Sequence, residues 1–154
     1  MNKHAGTESS GCVFCRIVKG LEPAEVIYET SLCLAFFPIN PATKGHTLVI
    51  PKRHTEDFLS AGPEGFATLS STAVEVGQML QAAYAPEGMN MITSSGEVAS
   101  QSIMHLHVHL VPRWTYDAVG DIWPPSPHTE ADLISSWAEE FRSLRHGLDE
   151  GNSD

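Results

Sequence analysis

The stretch QSIMHLHVHLVPR, residues 101–113, carries three of the chain's eight histidines within the five residues HLHVH. His105, His107 and His109 stand at every second position, interleaved with Leu106, Val108 and Leu110. Successive side chains of a β-strand point to opposite faces. The pattern therefore predicts a strand over 104–112 with an imidazole face and an aliphatic face, the latter turned to a core. A strand with no chemical task would carry Thr, Ser or Lys on its open side. Imidazole serves as nucleophile, acid, base or metal ligand near neutral pH, so three in register point to a functional site. Two chemistries fit. Alternate histidines can share one metal ion. Alternatively, a central histidine attacks phosphorus while its neighbours orient it and handle protons. The small polar loop GEVASQS (96–102) favours the second, because its backbone N–H groups, with Gln101 and Ser102, can hold phosphate oxygens without a cationic side chain.

The flanking segments predict an α+β domain. EVIYET (25–30) and SLCLAFF (31–37) read as strands joined by a turn, HTLVIP (46–51) as a buried strand and MNMITSS (89–95) as another. CVFCRIVKG (12–20) is a short helical turn ended by Gly20, PINPATKG (38–45) is a loop, and PKRHTEDFLS (51–60) holds a short helix capped by Thr55. The main helix spans 63–84, with Pro63 in its first turn and Phe66, Leu69, Ala73, Val76, Leu80 and Ala83 on one stripe. A last helix is expected from Thr129, its N-cap, to His146, with Leu133, Trp137, Phe141 and Leu144 facing inward. The expected organisation is an antiparallel sheet of about five strands with one long helix, plus a C-terminal helix. Residues 1–10 form a disordered leader, 11–115 the main domain, and 116–154 a C-terminal loop and helix packed on that same domain. Trp114, Tyr116 and Trp123 either complete the core or overhang the site.

Composition narrows the class. A chain of 154 residues suits one domain, and a net charge of −10 argues against nucleic acid as partner. The leader lacks the apolar region of a signal peptide, and LCLAFF is far too short to span a bilayer. The expectation is a cytoplasmic protein without a membrane partner. Three cysteines there do not make a disulfide framework. Cys12 and Cys15 have the spacing of half a zinc site. A redox pair would instead follow a strand of a βαβ unit. Cys33 reads as an ordinary buried thiol.

Taken in order, CVFCRIVKG, LAFFPINPATKGHTLVIPKRH and SGEVASQSIMHLHVHLVPR resemble the histidine-triad (HIT) superfamily of nucleotide hydrolases and transferases, from about Cys12 to Arg113. The small Hint-like branch is the most similar. The resemblance implies a HIT-like fold and a covalent nucleotidyl-histidine intermediate on His107, formed at the α-phosphorus of a nucleoside phosphoramidate or dinucleoside polyphosphate. His109 would touch phosphate oxygens and pass a proton to the leaving group. Gln101 and Ser102 would meet the phosphate oxygens, with Ser94 near them, and His46 would lie beside the triad as a fourth histidine. A purine nucleotide or nucleotide conjugate would rest over 38–41 and 47–50, between Phe36, Ile39 and Phe14, with Asn40 able to reach the ribose only if the loop turns differently from the family's. Relatives with this CxxC complete a structural zinc site with two histidines, whose matches here are His54 and His105; His105 would then orient rather than carry protons. The resemblance also implies a homodimer through the main helix and a neighbouring strand.

This sequence departs from that pattern at three places. Pro38 stands where Asp or Asn usually binds the ribose hydroxyls, Ser94 where Asn is frequent, and Ser100 where Gly is usual. Pro38 favours an alternative, a nucleotide-binding regulatory module with weak or vestigial catalysis. A third reading has all three triad histidines on a catalytic zinc.

Overall fold

Two apolar runs set the architecture. In CLAFF and TLVIP nearly every residue is buried, so both must be covered on both faces. The computed structural model describes residues 11–123 and 125–151; the expected leader lies outside them. The chain divides into two compact units, one up to Gly120 and one from Asp121.

In the first unit, β1 (Glu25–Glu29), β2 (Cys33–Phe37), β3 (Thr47–Pro51), β4 (Gly88–Ile92) and β5 (Val108–Arg113) form one antiparallel sheet in the order β1-β2-β3-β5-β4. Alternation assigns the two faces. Cys33, Ala35, Val49, Val108 and Leu110 pack with Leu69, Ala73, Val76 and Leu80 of the long helix α2 (Phe58–Tyr84). Leu34, Phe36, Leu48 and Ile50 pack with Phe14, Cys12 and Cys15 at the short helix α1 (Val13–Val18). The even-numbered triad neighbours thus serve one core, and the histidine face turns toward α1.

Helix α1 stops at Gly20, whose φ of 69° lets the N–H groups of Gly20 and Leu21 return to the carbonyls of Ile17 and Arg16. The two helices expected over 51–60 and 63–84 form one run, kinked at Gly62 (φ 67°, ψ 177°) just before Pro63. The cap is Asp57, not Thr55: the Asp57 carboxylate accepts the Ser60 N–H at 2.7 Å. Gly45 makes the turn before His46 at φ 78°, where a Cβ would come within 2.7 Å of the Tyr84 ring.

The strand expected over 104–112 begins only at Val108. Upstream of it, the Leu106 N–H bonds to Thr55 O at 2.6 Å instead of entering the sheet. Side-chain alternation persists through this irregular stretch, because Leu106 still reaches the α2 core.

The second unit holds α3 (Ala131–Gly151), which begins two residues past Thr129. Leu133, Trp137, Phe141 and Leu144, expected to face inward, are exposed. Their spacing marks an amphipathic helix. Tyr116 and Trp123 are also exposed and complete no core. Among the described residues no helix is long and apolar enough to cross a membrane.

Candidate active site and metal centre

His105 is fully buried. Its Nε2 lies 2.8 Å from the carbonyl oxygen of Pro51, which only accepts, so Nε2 carries the proton. The lone pair of Nδ1 then faces Cys12 Sγ at 3.4 Å and Cys15 Sγ at 3.6 Å, while His54 Nδ1 lies 3.3 Å from Cys15 Sγ. All four ligand atoms fall within 4.8 Å of one another. Sulfur and nitrogen on one tetrahedral zinc stand about 3.6 Å apart, given usual bond lengths. Burial, the main cause, pushes the His105 pKa down to about 4, which keeps the ring neutral as a metal ligand must be. The chemistry and spacing of Cys12, Cys15, His54 and His105 therefore suit a closed metal site. Both cysteines come from the edge of α1, held there by Phe14, whose ring meets those of Phe36 and His105 edge-on at 5.6 and 5.7 Å.

His107 is wired differently. Its Nδ1 donates to the carbonyl of His105 at 2.7 Å, which leaves the lone pair on Nε2. His109 Nδ1 lies 2.9 Å from His46 Nε2, and His46 Nδ1 accepts the Ala42 N–H at 2.9 Å. A main-chain N–H is always a donor, so neutral His46 holds its proton on Nε2 and gives it to His109 Nδ1. His109 in turn carries its own proton on Nε2. Burial lowers the pKa of His46. The pKa of His109 falls to about 4, through burial first and then the charges of His107 and His46. The three triad Nδ1 atoms face three different partners and share no point, so the arrangement gives no support to a three-histidine zinc.

The loop before the triad differs from expectation. It makes a single 3-10 turn over Glu97–Ala99. The N–H groups of Ala99, Ser100 and Gln101 bond to carbonyls of Gly96 and Glu97, and the Gly96 N–H bonds to Gln101 Oε1. These N–H groups shape the loop and do not form an open cradle for phosphate. Gln101, expected at the phosphate, is only 2% exposed and gives its amide hydrogens to Glu56 O and Ile103 O. Ser102, the next residue, is exposed. Ser94 is half-buried and Asn40 exposed, while Ile39 is almost fully exposed. Phe14 and Phe36, expected as pocket walls, are buried; the Phe14 ring meets His107 edge-on at 5.4 Å and forms a floor beneath it.

Three residues that sequence reasoning passed over also serve the site. Thr93 Oγ1 donates to the His107 carbonyl at 2.8 Å, and Ser95 Oγ donates to the Asp57 carboxylate. Asp57 was detectable as an acidic residue just ahead of the apolar helix. Thr93 and Ser95 carried no signal of their own.

Comparison with known proteins gives a consistent result. The HIT domain family model matches residues 19–115. The chain is 35% identical over 141 residues to "Protein hit" of Bacillus subtilis, covering 88% of this chain and 97% of that one. It is also 35% identical to adenosine 5'-monophosphoramidase hnt1 of Schizosaccharomyces pombe, covering 86% of this chain and 96% of that protein. A solved zinc-bound histidine triad family protein from Mycobacterium smegmatis matches with a TM-score of 0.68 at 37% identity, covering 75% of this chain and 84% of that one.

Proposed function

Since the chain belongs to the HIT family, we propose that it is a nucleotide hydrolase or nucleotidyl transferase acting at the α-phosphorus of a nucleoside phosphoramidate or dinucleoside polyphosphate. The observation that carries this reading is the 2.7 Å bond from His107 Nδ1 to the His105 carbonyl, which presents Nε2 as a lone-pair nucleophile. Nε2 attacks phosphorus, an N–P bond forms, and the bond from phosphorus to the amine or phosphate leaving group breaks. His109 donates a hydrogen bond from Nε2–H to the leaving group or a phosphate oxygen, with its orientation held by His46. Ser102 contacts a phosphate oxygen. Ser94 and Asn40 line the nucleotide side, and Ile39 offers the exposed apolar contact for the base, in keeping with a purine nucleotide or nucleotide conjugate. Water then attacks phosphorus, the N–P bond breaks, and the nucleoside monophosphate leaves. Gln101 acts by holding the loop.

Zinc is the proposed occupant of Cys12, Cys15, His54 and His105. It would tie α1 to the sheet and supply no chemistry to the reaction. We propose a cytoplasmic location, where cysteines stay reduced and available to a metal. A homodimer is proposed through α2 and the edge strand β4, where a groove lined by Ala73, Val74, Gly77, Met89 and Met91 lies open. Light scattering that gave the 16.7 kDa monomer mass at micromolar concentration would refute the dimer.

The test of the reaction is trapping. The protein is mixed with labelled adenosine phosphoramidate, quenched in base and digested. Label on the peptide containing His107 is the expected result. Bound but unlabelled and unhydrolysed nucleotide would favour the alternative, a regulatory module with vestigial catalysis, for which Pro38 in the ribose loop is the motivating residue.

A further inference from the structure

The main chain of His107 lies outside the sheet ladder. Strands β4 and β5 pair as far as Ile92 and His109, and β5 starts at Val108. Continued in the same register, Ser94 would face His107, but the main-chain ladder has already stopped. Thr93 fills the gap with its side chain: its hydroxyl donates to the His107 carbonyl at 2.8 Å. Two residues on, the Ser95 hydroxyl donates to the Asp57 carboxylate, which also caps α2 through the Ser60 N–H. The Ser95 bond is the largest cause of the lowered Asp57 pKa, so the acceptor is a carboxylate and the bond is charge-assisted.

Asp57 is itself fixed. It ends the four residues 54–57, each of which meets the site in turn. His54 lies at the metal ligands, the Thr55 carbonyl takes the Leu106 N–H, and the Glu56 carbonyl takes the Gln101 amide. The route from the helix cap to the nucleophile is therefore short and continuous: Asp57 to Ser95, Ser95 along the chain to Thr93, and Thr93 to the His107 carbonyl.

We propose that residues 93–95 form a clamp in which Thr93 positions the His107 main chain and Asp57 anchors the clamp through Ser95. Thr93, Ser95 and Asp57 touch no reacting atom and act through His107. The inference rests on the reaction proposed above. His107 is held by two bonds to carbonyls, one on its main chain and one on its ring. Its own carbonyl is held by Thr93, and the carbonyl of His105 receives its Nδ1–H. Freeing the first lets the ring shift relative to bound phosphorus without removing any group that binds the nucleotide. Loss should therefore appear in the chemical step and not in affinity.

The experiment compares Thr93→Val, which keeps shape but deletes the hydroxyl, with Thr93→Ser, which keeps the hydroxyl. Ser95→Ala is measured beside them, with His107→Ala as reference. Single-turnover labelling gives the rate of the chemical step, nucleotide titration gives affinity, and melting reports folding. Thr93→Val should lower the labelling rate about tenfold with affinity within about twofold of wild type. Thr93→Ser should recover most of the rate, and Ser95→Ala should lose about threefold, one link further away. A wild-type rate in Thr93→Val, or an equal loss in Thr93→Val and Thr93→Ser, overturns the clamp. If Thr93→Val does not fold, Ser95→Ala decides, and an unaltered rate in it overturns the proposal. The two levels separate cleanly: full activity in His107→Ala sinks the reaction itself, whereas an inactive His107→Ala beside a fully active Thr93→Val sinks only the clamp.

Discussion

His105 and His107 stand two residues apart, face the same side, and meet the same Phe14 ring edge-on at 5.7 and 5.4 Å. They are nevertheless set up for different work. In His105 the bond to Pro51 fixes the proton on Nε2 and turns the lone pair of Nδ1 toward two thiols. In His107 the bond to the His105 carbonyl fixes the proton on Nδ1 and leaves the lone pair on Nε2, the proposed nucleophile. The residue type is the same and the sequence pattern is uniform. The acceptor met by the other nitrogen assigns the role, as it does for metal-bound histidines generally. One link joins the two ends, since the carbonyl of His105 orients the His107 ring.

The sharpest way to break this division is to cross its readouts. His107→Ala should lower nucleotide hydrolysis by at least about 10³-fold, the scale on which loss of a nucleophile acts. It should leave metal content near one ion per chain and melting near wild type. Cys12→Ser should do the reverse, losing the metal and lowering the melting temperature while His107 can still be labelled. Metal lost from His107→Ala, as measured by elemental analysis, would mean that the triad is one site and the division is wrong.

Chelation tests the metal end alone. A ligand bound only to the native state stabilises it by about 4 kcal/mol when free metal is a thousandfold above Kd. For a chain of this size that corresponds to a melting shift of about 10 °C. A strong chelator should therefore lower the melting temperature by that order and leave the sheet's far-ultraviolet signal intact below the transition. A curve that does not move in protein proven to be metal-free would return Cys12 and Cys15 to ordinary thiols.

The catalytic end has its own internal test in His46. If its Nε2–H fixes His109, then His46→Ala should slow turnover by about ten- to a hundredfold, the range of acid–base assistance. His46→Gln, whose amide can still donate to His109, should lose less. Equal losses would show that His46 acts by bulk and not by its proton.

How much of this was legible in the sequence follows from the kind of signal each part leaves. The antiparallel sheet and the long helix were readable, since apolar periodicity is local and strict, while the clustering of Cys12, Cys15, His54 and His105 was legible only in part: spacing gave the cysteine pair, and the family resemblance gave the two histidines. The start of β5 was not. Leu106, Val108 and Leu110 alternate just as they would in a strand, and alternation reports which way side chains point, not which backbone groups pair. The Leu106 N–H is taken by Thr55, a partner far away in the chain. The loop 96–102 differed for a related reason: small polar residues predict available N–H groups, but the Gln101 side chain takes that of Gly96, and carbonyls of Gly96 and Glu97 take those of Ala99, Ser100 and Gln101. Leu133, Trp137 and Phe141 predicted an amphipathic helix, which forms.

The last expected effect concerns pH and completes the comparison, because both ends of the triad hold their imidazoles neutral. His105 and His109 each have a pKa pushed down to about 4, burial being the first cause in both. In the unfolded chain a histidine titrates near ~6.5. As pH falls from about 6.5 to about 4, the unfolded state takes up protons that the native state refuses, so stability falls with falling pH across that window. Above it neither state is charged, and below it both are, so these two groups contribute no slope outside it. In chelated protein, where metal release adds nothing, the two histidines should together cost on the order of 5 kcal/mol between the ends of the window. His109→Gln removes one of the two groups and should make the fall shallower, with His105 still contributing. Urea unfolding at a series of pH values reads this directly. An unchanged slope in His109→Gln would mean that His109 is already charged in the native protein and that the proton order from Ala42 through His46 to His109 is not the one described.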